Sequence, residues 1–155
     1  MNDDQALRDQ LAGLLDSGHA HLKFEDAVNN FPAERRGQRP AGAAHSAWEL
    51  LEHLRLAQWD ILEFTRNPKH VSPEWPTGYW PASAEPPTET AWDESIAAFR
   101  TDQRALAALA ESADLFARIP HGDGQTVLRE ILLAVDHNAY HLGQLVMVRR
   151  ILETL

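Results

Sequence analysis

The stretch from Thr126 to Leu155 contains no proline, and its single glycine, Gly143, is mid-run. It reads as one long helix, and everything else in the chain has to pack around it. At about 100° per residue, Val127, Leu133, Ala134, His137, His141, Leu145, Val148 and Leu152 share one stripe. Two histidines therefore stand four residues apart on the face that should point into the core, with side chains starting roughly 6 Å apart. A single buried histidine is ordinarily a hydrogen-bonded core residue. Two on one turn of a core stripe point instead to a shared cation.

At 155 residues and 44% hydrophobic, the chain is long enough to form a single domain, residues 1–155, with its own core. A formal charge of −9 argues against nucleic acid or an anionic membrane as partner. The absence of cysteine excludes disulfides, thiolate metal sites and cysteine nucleophiles. Met1-Asn-Asp-Asp-Gln lacks the parts of a signal peptide, and no apolar run approaches the roughly 20 residues needed to span a bilayer. The expected location is cytoplasmic.

The pattern predicts four helices, near 3–27, 46–66, 88–114 and 125–154, with long loops after the first and second. In the first, Leu7, Leu11, Leu14, Leu15 and Leu22 keep to one stripe, with His19 and His21 at its boundary. Val28 to His45 reads as a loop rich in glycine, proline and arginine. Ser46-Ala-Trp-Glu49 is a capping box, and Asn67-Pro68 ends the helix it opens. Leu50, His53, Leu56, Ala57, Ile61 and Phe64 form that helix's inward stripe, which makes His53 the best third ligand beside His137 and His141. Glu49 and Asp60 flank it. Glu49 is equally the capping carboxylate, and Asp60 equally a partner for an arginine.

Trp75-Pro-Thr-Gly-Tyr-Trp-Pro81 is a stiff aromatic loop expected to fold back over the bundle, covering a pocket mouth or plugging a helix gap. Thr88 opens the third helix, whose stripe is Trp92, Ile96, Phe99, Leu106, Leu109 and Ala113, and His121-Gly-Asp-Gly124 is a turn. The last helix also carries Leu128, Ile131, Leu132, Val135, Ala139, Leu142 and Val146 opposite its histidines. A helix apolar on two sides predicts a homodimer through its outer face, with cover by the first helix as the competing account.

Three neutral imidazoles leave coordination positions open, as in a catalytic rather than a structural zinc site. Nickel, iron or manganese would also bind such a set. His137-Asn-Ala-Tyr-His141 has zinc-peptidase spacing, but Asn138 stands where the general-base glutamate would be. No Glu-x-x-His pair of di-iron bundles occurs, nor a nucleophile elbow, phosphate loop or dinucleotide fingerprint.

Trp48-Glu-Leu-Leu-Glu-His53-Leu, with Leu128-Arg-Glu-Ile-Leu through His137-Asn-Ala-Tyr-His141-Leu-Gly-Gln144-Leu, resembles the DinB-like, or YfiT-like, proteins over nearly the whole chain. The resemblance implies an all-α, up-down-down-up four-helix bundle. It implies nickel or zinc held by His53, His137 and His141, and a dimer. It also implies a metal-dependent transferase or isomerase using a low-molecular-weight thiol such as bacillithiol or mycothiol, or a hydrolase. Asp60, Glu49 and Tyr140 are then the candidates for proton transfer. The alternative is a metal- or ligand-binding regulatory or stress module without turnover.

Overall fold

In the computed structural model, which describes residues 3–17 and 19–154, every regular element is a helix. The uninterrupted C-terminal run forms helix α5 (Val127–Glu153), opened by Thr126, whose hydroxyl oxygen accepts from Arg129 N at 3.2 Å. Helix α3 (Ala47–Arg66) lies along it. Both bonds of its capping box are present: Ser46 Oγ accepts from Glu49 N at 3.2 Å, and Glu49 Oε2 accepts from Ser46 N at 2.8 Å. Helix α4 (Ala91–Ser112) packs on α3, its first amide held by Thr88 Oγ1 at 3.1 Å. Helix α1 (Asp3–Ser17) packs mainly on α4.

Two core clusters result. One joins Leu11 and Leu15 of α1 to Ile61, Leu62, Leu106, Ile131 and Ala134. The other joins Leu50, Leu51, Leu54, Trp92 and Phe99 to Leu142, Leu145, Val148 and Leu152. Between α3, α4 and α5 sits Gln58, fully buried. Its Nε2 donates to Phe99 O at 2.7 Å, and its Oε1 accepts from Asn138 Nδ2 at 2.8 Å. A short antiparallel bridge, Arg118 to Thr126, closes the turn before α5, where Gly124 takes a φ of 107° that a side chain would disfavour.

The first helix is shorter than expected. It ends at Ser17, His19 has a φ of 39°, and a separate helix α2 (Phe24–Val28) follows; Gly18 lies outside the described residues. Phe24 lies well off the Leu7–Leu15 stripe, so a continuous helix would have left it unburied. Breaking the helix lets Phe24 stack on Phe99 at 4.2 Å and brings Ala27, Val28 and Phe31 into the core. Leu22, expected inside, is 43% exposed. The His19 ring folds back onto Gly13, with Nε2 2.6 Å from where a Cβ would stand, so a larger residue there would push this exposed ring aside.

The break also divides the outer face of α5. Ile131 and Leu142 are buried within the chain, and α1 and α2 partly cover Leu128, Val135 and Val146. Of the expected face Leu132 alone remains exposed; Tyr140 and Met147 are also exposed, but on the side of α5 nearer the histidines.

Candidate metal centre

The capping box fixes where α3 begins, and so brings His53 inward two turns later; it is 3% exposed. The stripe of α5 presents His137 and His141 to it. His53 Nε2 lies 3.1 Å from His137 Nε2 and 3.1 Å from His141 Nε2. Each of the three rings offers a ligand atom within 4.8 Å of the others, so the group could hold a metal ion. Around a cation with bonds of about 2.0–2.1 Å, tetrahedral nitrogens sit about 3.3 Å apart, close to this spacing.

The proton positions make the case sharper. His53 Nδ1 is 2.8 Å from Tyr79 O, and a carbonyl can only accept, so Nδ1 carries the proton. His141 Nδ1 likewise donates to Gln144 Oε1 at 2.7 Å. In both neutral rings Nε2 then bears a lone pair, and that pair of nitrogens has no proton between them. His137 Nε2, 3.1 Å from His53 Nε2, can donate to His53, which leaves the His141 lone pair facing it unrelieved and His137 Nδ1 buried without a partner. A cation relieves this, as would protonation. Protonation is disfavoured: burial above all, opposed by the Tyr79 carbonyl and helped by His141 and His45, pushes His53 down to about 4. Burial, then His141 and His53, also pushes His137 down to about 4. Burial lowers His141 as well. Neutral imidazoles are the form that binds metals. The donor set therefore fits a divalent cation, and among the described residues no fourth ligand joins the group.

The aromatic loop after α3 roofs this group. Trp80 stacks flat on His53, centroids 3.9 Å apart and planes parallel, and also stacks on His45 at 3.9 Å. Trp75, by contrast, is 76% exposed, so only part of the loop's apolar surface folds back. An open groove of ≈ 610 Å³ is lined by His45, Leu50, Tyr140, Gln144, Met147 and Ile151 among others. It reaches the neighbours of the three histidines, Gln144 and Tyr140, but none of the three lines it.

The three proton-transfer candidates part company. Tyr140 stays near the centre: its exposed ring meets His141 edge-on at 4.8 Å. Glu49 is already engaged, paired with the Arg39 guanidinium through both oxygens and capping Ser46 N. Burial resists its ionisation, but Arg39 and Ser46 outweigh this and lower its pKa. Asp60 accepts from Tyr79 Oη at 2.6 Å and binds His70 Nε2 at 2.7 Å, instead of an arginine. Burial and then Asp60 push the Tyr79 phenol up to about 12. Asn138 Nδ2 donates to Gln58 Oε1 at 2.8 Å.

Four contributors escaped sequence reasoning. Gln144 had a readable signal, since it stands three residues beyond His141 on one helix face. Tyr79 acts on His53 through its backbone, which residue type does not encode. Trp80 was placed in a covering loop but not on a particular ligand. His45 lies outside any helical stripe, and only the tertiary path of its loop brings it to Trp80.

A family model described as the DinB superfamily matches residues 19–145, a span that contains all three histidines. The chain belongs to that superfamily. Comparison with curated proteins and with solved structures gave no match.

Proposed function

We propose that this member of the DinB superfamily is a metal-dependent enzyme acting on a small molecule, with His53, His137 and His141 as the ligands of one divalent cation. The observation that carries the reading is the pair of lone pairs, His53 Nε2 and His141 Nε2, facing each other at 3.1 Å. Nickel or zinc suits three imidazoles best, with iron or manganese as lesser fits. The bound ion would supply Lewis acidity to a thiol or water in its remaining positions.

The open coordination set favours turnover over a closed binding module. The reaction class is addition or transfer of a low-molecular-weight thiol, or hydrolysis. The groove that reaches Gln144 and Tyr140 would bind the substrate. Trp80 excludes water from the His53 side, Gln144 fixes the His141 tautomer, and Tyr140 Oη is the group best placed to move a proton at the groove wall. Glu49 and Asp60, already held by other partners, serve the frame. A second copy docking on α5 would then use the exposed Tyr140, Met147 and Ile151, a side other than the Leu128–Val146 face expected from the sequence, and would wall the groove's open side. No helix of the described residues is long and apolar enough to cross a membrane.

The test pairs elemental analysis of the purified protein with a screen for thiol-dependent and hydrolytic activity. The reading expects about one divalent ion per chain and activity that is lost on chelation and restored by the same ion. A chain that takes up neither zinc nor nickel at neutral pH would overturn it.

A further inference from the structure

Residues 67–90 cross from the end of α3 to the start of α4 with only one short 3-10 turn, Thr77–Tyr79, on the way. A segment so poor in regular structure can hold a precise contact only where it is pinned. Tyr79 is pinned at two points on the same helix. Its hydroxyl donates to Asp60 Oδ2 at 2.6 Å, and its carbonyl accepts from His53 Nδ1 at 2.8 Å. Asp60 and His53 are seven residues apart on α3, roughly 10 Å along the axis. The second Asp60 oxygen holds His70 Nε2 at 2.7 Å, near the beginning of the segment. Next to Tyr79 in sequence, Trp80 lies flat on the His53 ring.

We infer that Asp60 and the Tyr79 hydroxyl are positioning residues for the histidine centre, a clamp that holds the Tyr79 carbonyl on His53 Nδ1 and the Trp80 ring on its face. The carbonyl keeps the proton on Nδ1 and so leaves the Nε2 lone pair aimed at His137 and His141. Partners of this kind orient a ligand ring and raise its basicity, and losing one typically costs 10–100-fold in metal affinity. Asp60 touches none of the three histidines and acts on them only through Tyr79. The inference rests on the metal reading above, but its first test needs no metal.

That test is the tautomer of His53 in metal-free protein, read from long-range 1H–15N correlations of the imidazole. The wild-type chain is expected to show the Nδ1-protonated form, and Tyr79→Phe a mixture. The second test is zinc affinity by chelator competition. Tyr79→Phe and Asp60→Ala should each bind 10–100-fold more weakly. Asp60→Asn, which keeps an oxygen to accept from Tyr79, should stay close to wild type. A merely structural anchor would lower the thermal midpoint and leave affinity and tautomer alone. In a His53→Ala background Tyr79→Phe should have no further effect on affinity, because the clamp then has no ligand to hold. Unchanged tautomer and affinity in folded Tyr79→Phe overturn the inference. Should that variant fail to fold, the Asp60→Ala and Asp60→Asn pair decides, and equal affinity in the two overturns it. If the wild-type chain binds neither zinc nor nickel, the metal reading fails, and the tautomer still shows whether the clamp exists.

Discussion

Gln58 is the point at which stability and site geometry meet, and replacing it by leucine probes both. The residue is fully buried and ties Phe99 O of α4 to the Asn138 amide of α5, one residue from His137. Leucine has nearly the same volume, so cavity formation contributes little and the change is one of hydrogen bonding. The lost bond to Phe99 O costs about 1 kcal/mol. Asn138 Nδ2 loses its partner too, a desolvation penalty of about 1–3 kcal/mol. Asn138 Oδ1 is already buried without one. The sum is a loss of about 2–4 kcal/mol, or roughly 4–16 °C in thermal midpoint at about 2–4 °C per kcal/mol for a chain of this size. Replacing both partners by apolar groups removes the unpaired amide, so Gln58→Leu with Asn138→Leu should recover to within about 1 kcal/mol of wild type. Urea unfolding of the metal-free single and double variants measures this directly. If the double variant is less stable than Gln58→Leu alone, the pairing does not account for the cost and the argument fails.

Three further outcomes follow from the same geometry. His137→Ala should retain its helical circular dichroism and lose bound metal by elemental analysis; full metal content in the variant would return the cluster to a hydrogen-bonded role. His53 and His137 titrate near 4 in the folded chain against an ordinary value of about 6.5, so the unfolded chain binds protons more readily. Their contribution to metal-free stability is therefore fully present above about pH 6.5 and lost as pH falls towards 4, and thermal midpoints flat across that window would refute the burial argument. For the homodimer, Met147→Glu is the probe, because Met147 is exposed on the groove side of α5, whereas Val135 of the expected outer face packs against the core beneath α1. The variant should give folded monomers by light scattering, and a wild-type chain that is monomeric at high micromolar concentration would refute the interface.

The histidine centre was legible because its ligands obey helical periodicity. Two lie one turn apart on α5, and the third sits on an α3 whose start the Ser46–Glu49 box dictates, so each side chain's direction follows from local spacing. The all-helical class was legible for the same reason. What spacing could not supply was the path of the irregular segments. The apolar period of the first helix continues through Leu22, yet the chain breaks after Ser17, because burying Phe24 against Phe99 gains more than prolonging a marginal helix. That break sets how much of the outer face of α5 is covered from within. The Glu49 cap on Ser46 was legible, but its pairing with Arg39 was not, and Asp60, read as a possible partner for an arginine, holds Tyr79 and His70 instead. Neither His45 beside Trp80 nor the Tyr79 carbonyl on His53 leaves a trace in periodicity, since loop positions are fixed by contacts distant in sequence. Sequence by itself determined the all-helical class and which three histidines gather. Only tertiary structure decided what surrounds those ligands, because their protons, roof and groove come from segments whose course no local repeat encodes.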